Sequence, residues 1–96
     1  MGITDLVAEK RQEILRIASK HGVQRIRVFG SVARGEANQA SDVDFLIEVG
    51  PTHSAFFPGG LVADLEALLG RRVDVVEPES LYAPLRDAVL KEAVPL

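Results

Sequence analysis

Two kinds of apolar spacing alternate along this chain, and the alternation limits the folds open to it. Ile3, Leu6, Val7, Ile14, Ile17 and Ala18 recur at helical intervals. They give way to a period-two run at residues 25–29, where Ile26 and Val28 oppose Arg25, Arg27 and Phe29. A β-rich run follows at 42–49, and a short one, Val73-Asp74-Val75-Val76, comes later. Leu61, Val62, Leu65, Leu68 and Leu69 return to helical spacing, and Leu85, Ala88, Val89 and Ala93 mark a last helix. Thr4 can cap the first helix, about residues 5–21, and Gly22 and Gly70 fit positions just past helix ends. Residues 31–36 read as a short turn closed by Gly35. The expected order is α-β-α-β-α-β-α. That is an α/β (α+β) fold, a small mixed sheet of three or more strands with helices packed against it. Ninety-six residues without a linker or repeat predict one domain, 1–96, with one modest core.

Several function classes fall away at once. The chain has no Cys, so disulfides, thiolate zinc sites and Cys nucleophiles are excluded. No basic region followed by an apolar core opens the chain, and the uncharged stretch 49–63 is broken by Pro51, Pro58, Gly50, Gly59 and Gly60. A cytoplasmic protein without a membrane span is expected. The formal net charge is −3, which does not suit a protein held on nucleic acid by its charge. Arg25 with Arg27, and Arg71 with Arg72, remain local contact points. His21 is expected at a helix end near the last carbonyls, and His53 in a surface loop.

The most informative segment begins where the first strand ends, at Phe29-Gly30-Ser31. Gly30 lets a backbone come close to an anion. The free N–H groups of a new helix and the Ser31 hydroxyl can then point at it. Two competing motifs fail. Gly30 and Gly35 are spaced like a Walker loop, but Glu36 and Ala37 stand where Lys and Ser or Thr are needed. The nucleophile elbow is absent as well, because Gly30 directly precedes Ser31. A Gly-Ser turn can also be purely structural.

The carboxylates shift that balance. Asp42 and Asp44 sit two residues apart on a strand, so they share a face at a spacing of about 6.6 Å. Like charges on one face repel unless a cation sits between them, and Asp is disfavoured in strands. Mg²⁺ takes oxygen ligands, often one or two carboxylates plus substrate phosphates. The alternate residues Val43, Phe45 and Ile47 can face the core. Asp74 supplies a third acid inside an apolar strand. If that strand neighbours the second, the three acids can converge, and Asp74 either completes a metal site or takes a proton from an attacking hydroxyl. The alternatives are an Asp42 that caps a turn and an Asp74 paired with Arg71 or Arg72.

Together, Gly30-Ser31, Gly35, Asp42-x-Asp44 and Asp74 resemble the signature of the polymerase-beta-type nucleotidyltransferase superfamily. The chain is most similar to its minimal nucleotidyltransferase (MNT) family, with a Gly-Ser-x-Ala-Arg-Gly turn at 30–35 and Ser-Asp-x-Asp at 41–44. The likeness extends through residues 70–76 and the ending 93–96. It implies that Asp42, Asp44 and Asp74 are the catalytic and metal-binding acids, holding two Mg²⁺ ions. It also implies that Gly30, Ser31 and Ser41 bind the nucleotide, with ATP as donor. Arg34 lies near the phosphates on this view, or else covers the helix or pairs with Glu36. The implied chemistry is attack of an acceptor oxygen on the α-phosphorus, with pyrophosphate leaving. Larger members of the superfamily add a helical domain that holds the acceptor. Here the acceptor is expected from another subunit, in this family a HEPN-domain toxin to which the antitoxin adds AMP. A non-catalytic antitoxin and a small-molecule adenylyltransferase are the alternatives. The uncharged loop of Ser54, Ala55, Phe56, Phe57 and Pro58 either serves such a contact or folds its Phe residues onto the core. The edges of a short sheet could also pair with another copy of the chain.

Overall fold

The second β-rich run becomes the middle of the sheet because it is apolar on both faces. Strand β2 (Val43–Val49) buries Val43, Phe45 and Ile47 on one face and Leu46 on the other. A computed structural model of the chain describes residues 3–38, 40–51 and 57–96, with side chains from Asp5 onward. The expected Thr4 cap, and the placement of His53, Ser54, Ala55 and Phe56, lie outside what is described.

Strand β1 (Val23–Phe29) pairs antiparallel with β2, and β3 (Val73–Val76) pairs with β2 in parallel. A parallel neighbour needs a crossover, and helix α4 (Gly59–Leu69) supplies it. Its Leu61, Leu65 and Leu69 fall at intervals of four, so one buried stripe faces the sheet. Helix α2 (Arg11–Lys20) adds Ile14 and Ala18 to the same core, and α1 (Ile3–Glu9) adds Val7. Each fully buried large apolar side chain contributes about 1.5–3 kcal/mol. Helix α3 (Gly30–Arg34) links β1 to the loop before β2. A 3₁₀ turn (Pro78–Ser80) and helix α5 (Ala83–Glu92) follow β3. The sheet is mixed and four-stranded, in the order β3-β2-β1-β4.

Four details depart from the sequence reading. The first helix is two, jointed at Lys10. The joint falls among Ala8, Glu9, Lys10 and Arg11, with no Gly or Pro to signal it. The ending contributes a strand, β4 (Val94–Pro95), which pairs with Val28 and Arg27 of β1. Two residues are too short to show a period, and Pro95 is tolerated because β4 is an edge. In α5 only Val89 is buried; Leu85 is exposed and Ala93 lies past the helix end. Finally, His21 is buried and reaches across to α4, its Nε2 2.7 Å from Asp64 Oδ2. Sequence reasoning placed it only near its own helix end.

Phe57 packs against the core, as one reading of its loop expected. Arg25 and Arg27 both lie within ion-pair distance of Glu48 across the sheet. Among the described residues no helix is long and apolar enough to cross a membrane.

The His21 hydrogen bond, then that from Lys20, holds the Asp64 carboxyl below its ordinary value. A depressed carboxyl adds stability that is present above the unfolded pKa, near pH 4, and is lost as pH falls through the folded value. Asp64→Asn should therefore lower the urea midpoint at pH 6. Its deficit against wild type should shrink as the titration is repeated down to about pH 2.

Candidate active site

The candidate residues meet at one end of the sheet, where β1 finishes and β2 and β3 start. Phe29, Asp44 and Asp74 are consecutive register partners across the three strands. Asp42 sits just ahead of β2, two residues from Asp44, close enough for its charge to act on the Asp44 carboxyl. Val43, between them, donates its N–H to the Arg72 carbonyl and is fully buried. Glu66 of α4 accepts a hydrogen bond from the Val73 amide at 3.0 Å, which ties the crossover helix to the start of β3.

The turn between β1 and α3 is built around Gly30. Its φ is +75°, a left-handed conformation that L side chains rarely adopt. Space forbids a side chain as well. A Cβ on Gly30 would stand 2.2 Å from Asp44 Oδ2 and 3.1 Å from its Cγ. The Asp44 carboxylate thus lies directly against the bare backbone of the Gly-Ser turn. Gly35 ends α3 with φ +74°, but a Cβ there would meet nothing within 4 Å. Its glycine serves conformation only. Ser31 is half-buried in α3, and its carbonyl accepts the Glu36 N–H at 2.9 Å. The Ser41 hydroxyl accepts the Asn38 N–H at 2.9 Å, and Asn38 Oδ1 accepts the Ala40 N–H at 2.8 Å. Ser41 therefore closes the loop that delivers Asp42.

Electrostatics mark the same spot. The Asp44 carboxyl is pushed above the usual carboxylate range, by burial first and then by Asp74, Asp42 and Glu92, with Arg34 opposing. Asp74 is exposed, and among the described residues neither Arg71 nor Arg72 pairs with it. Among the described residues no three acids or histidines close on one point as a complete ligand set. Asp44 and Asp74 are adjacent through register, and among the described residues none of the three acids forms an ion pair.

One residue at this site carried no sequence signal. Glu92, the last residue of α5, lies 62 positions from Gly30 and accepts its N–H with Oε2 at 2.6 Å. Its other oxygen accepts Arg34 Nη1 at 2.8 Å. The Arg34 hydrogen bond foremost, aided by the Gly30 N–H and against the effect of burial, holds the Glu92 carboxyl below its usual range. Arg34 also donates to Glu36, so the expected Glu36 pair exists beside a second one. A Glu at the end of a helix is ordinary, and only the fold shows what it touches. A groove between Gly22, Gln24, Gly50 and Leu96, toward the other end of β1, holds none of these acids.

The family profile described as "Nucleotidyltransferase domain" matches residues 11–96. The chain is similar to the protein adenylyltransferase MntA of Thermococcus cleftensis, at 42% identity over 93% of this chain and 86% of that one. Among solved structures it resembles a candidate minimal nucleotidyltransferase, with TM-score 0.86 and 42% identity over 100% of this chain and 97% of that chain. A mutant form of an MntA toxin–antitoxin complex is similar at TM-score 0.71 and 25% identity, over 90% of this chain and 70% of that chain.

Two glycine substitutions separate strain from occlusion. Gly35→Ala should cost about 1–2 kcal/mol of stability, the penalty of a left-handed Ala, and leave nucleotide binding unchanged. Gly30→Ala should cost at least as much and also expel the Asp44 carboxylate, so that nucleotide binding measured by calorimetry is lost. The charge crowding gives a third expectation. A raised carboxyl pKa contributes stability that is complete only below the unfolded value and is lost as pH rises through the folded one. Ionised Asp44 thus opposes folding at neutral pH. In metal-free buffer at pH 7, Asp44→Asn should raise the urea midpoint above wild type.

Proposed function

Since the chain belongs to the nucleotidyltransferase domain family, we propose that it transfers AMP from ATP to a hydroxyl of a partner protein. The partner is a HEPN-type toxin, and the transfer makes this chain the antitoxin of the pair. The observation that carries the reading is the packing of Asp44 against the bare Gly30 backbone, with Asp74 in register beside it. A phosphate-binding turn and a cation-binding acid cluster then share one border. The names of the relatives support the finer assignment, since one is a protein adenylyltransferase and another a toxin–antitoxin complex.

The donor set fits Mg²⁺. Hard oxygen ligands from one or two carboxylates, completed by substrate phosphates, are what this ion takes. Asp42 and Asp44 would supply them, and the crowding that pushes Asp44 up is what a divalent cation relieves. When bound, the ion neutralises phosphate charge and polarises the phosphoryl oxygens.

The chain's own residues do the rest. The Gly30 amide and the Ser31 hydroxyl hold the triphosphate at the turn. The acceptor hydroxyl oxygen bonds to the α-phosphorus, and the bond from that phosphorus to the pyrophosphate oxygen breaks. Asp74, exposed on the edge strand, takes the hydroxyl proton. Holding the two reactants in line supplies much of the acceleration. Ser41 acts indirectly, by closing the loop that sets Asp42.

The test is Mg²⁺-dependent labelling of the co-purified partner with AMP from ATP. The Asp42→Asn, Asp44→Asn double variant should lose at least about a hundredfold in rate, while its melting temperature holds or rises. Labelling at the wild-type rate would sink the mechanism. A wild type that neutralises the toxin without labelling it would show an antitoxin that works by binding alone.

A further inference from the structure

Glu92 sits where the proposed donor needs to be. Its carboxylate uses both oxygens, one on the Gly30 amide at 2.6 Å and one on the Arg34 guanidinium at 2.8 Å. A backbone N–H paired with a guanidinium is the same donor set that grips a phosphate. We propose that Glu92 is an internal anion holding the donor phosphate's place, and that nucleotide binding displaces it from Gly30 and Arg34. The inference rests on the reading that Gly30 receives a phosphate of the donor.

Three observations carry it. The Gly30 amide has one hydrogen to give, and Glu92 already takes it. Asp44 occupies the side of Gly30 where a Cβ would stand, so the Glu92 carboxylate and a phosphate must compete for the remaining approach. Asp42, Asp44 and Asp74 already place three carboxyl groups at this end of the sheet. A triphosphate arriving beside a fourth carboxylate would meet repulsion that the departure of Glu92 removes.

The position of Glu92 suits exchange. It is the last residue of α5, and its side chain is about one-quarter exposed. Arg34, half-exposed, is held by Glu36 as well, so it stays at the turn when Glu92 leaves. The grip keeps Gly30 and Arg34 ordered until the donor arrives. The chain then trades an internal anion for an external one, and affinity is reduced by whatever the internal contact is worth.

A purely structural role and a competing role predict opposite changes. Without ligand, Glu92→Gln should melt below wild type, because a neutral amide binds Arg34 less well. The same variant should bind Mg²⁺–AMP-PNP about tenfold more tightly by calorimetry, the low end of what a lost charged hydrogen bond returns. Glu92→Ala should bind at least as tightly as Glu92→Gln. Equal or weaker binding by both folded variants would overturn the proposal, since a merely structural Glu92 lowers affinity with stability. A wild type that binds no AMP-PNP would instead overturn the donor-site reading beneath it. A second measurement needs no variant: the Glu92 carboxyl ¹³C resonance should move on titrating wild type with Mg²⁺–AMP-PNP. A resonance unmoved at saturation refutes displacement.

Discussion

Register at the head of β2 governs what happens around Gly30. Asp44 is locked between Phe29 and Asp74 by the ladders on either side. The residues after it, Phe45, Leu46 and Ile47, are buried. A slip of one residue would turn Phe45 and Ile47 out of the core, so the apolar strand holds the acid in place. The carboxylate then has one position to occupy, and the bare face of Gly30 leaves room for it. Neither a side chain at 30 nor a shifted β2 is compatible with that arrangement.

This placement runs against stability. Asp44 is partly buried beside two other acids, and its ionised form is disfavoured. The core of β1, β2, α2 and α4 is rich enough to tolerate the penalty. Functional sites commonly keep such tension, because a group poised to meet a cation is uncomfortable without one. Glu92 adds to the crowding at Asp44, yet it is itself satisfied by Arg34 and Gly30. The site is thus divided. Its carboxylate side is crowded with acids, while the turn at Gly30 and Arg34 is already filled by Glu92.

Much of the fold was legible in the residues, and for physical reasons. Alternation along 25–29, and the four-residue spacing of Leu61, Leu65 and Leu69, follow from one-sided burial, which leaves a period in the sequence, while 42–49 is legible as a β-rich run. What escaped had no period to leave. The joint at Lys10 lies among good helix formers. Strand β4 is two residues long and made by pairing with β1. His21 reads as a helix-end residue until α4 brings Asp64 to its ring.

The candidate site divides in the same way. Gly30, Ser31, Gly35, Asp42 and Asp44 stand close together in the chain, so their chemistry and spacing could be read directly. Asp74 could be proposed as a third acid, but only β2–β3 pairing placed it beside Asp44. Nothing local distinguished Glu92, because its partners Gly30 and Arg34 lie 62 and 58 residues away. Sequence by itself determined which residue types are present and which stretches bury one face, since both are local properties. Tertiary structure alone decided which distant side chains share a neighbourhood. That depends on how the helices and strands pack, and it is packing that set Asp44 against Gly30, Asp74 alongside, and Glu92 on the Gly30 turn.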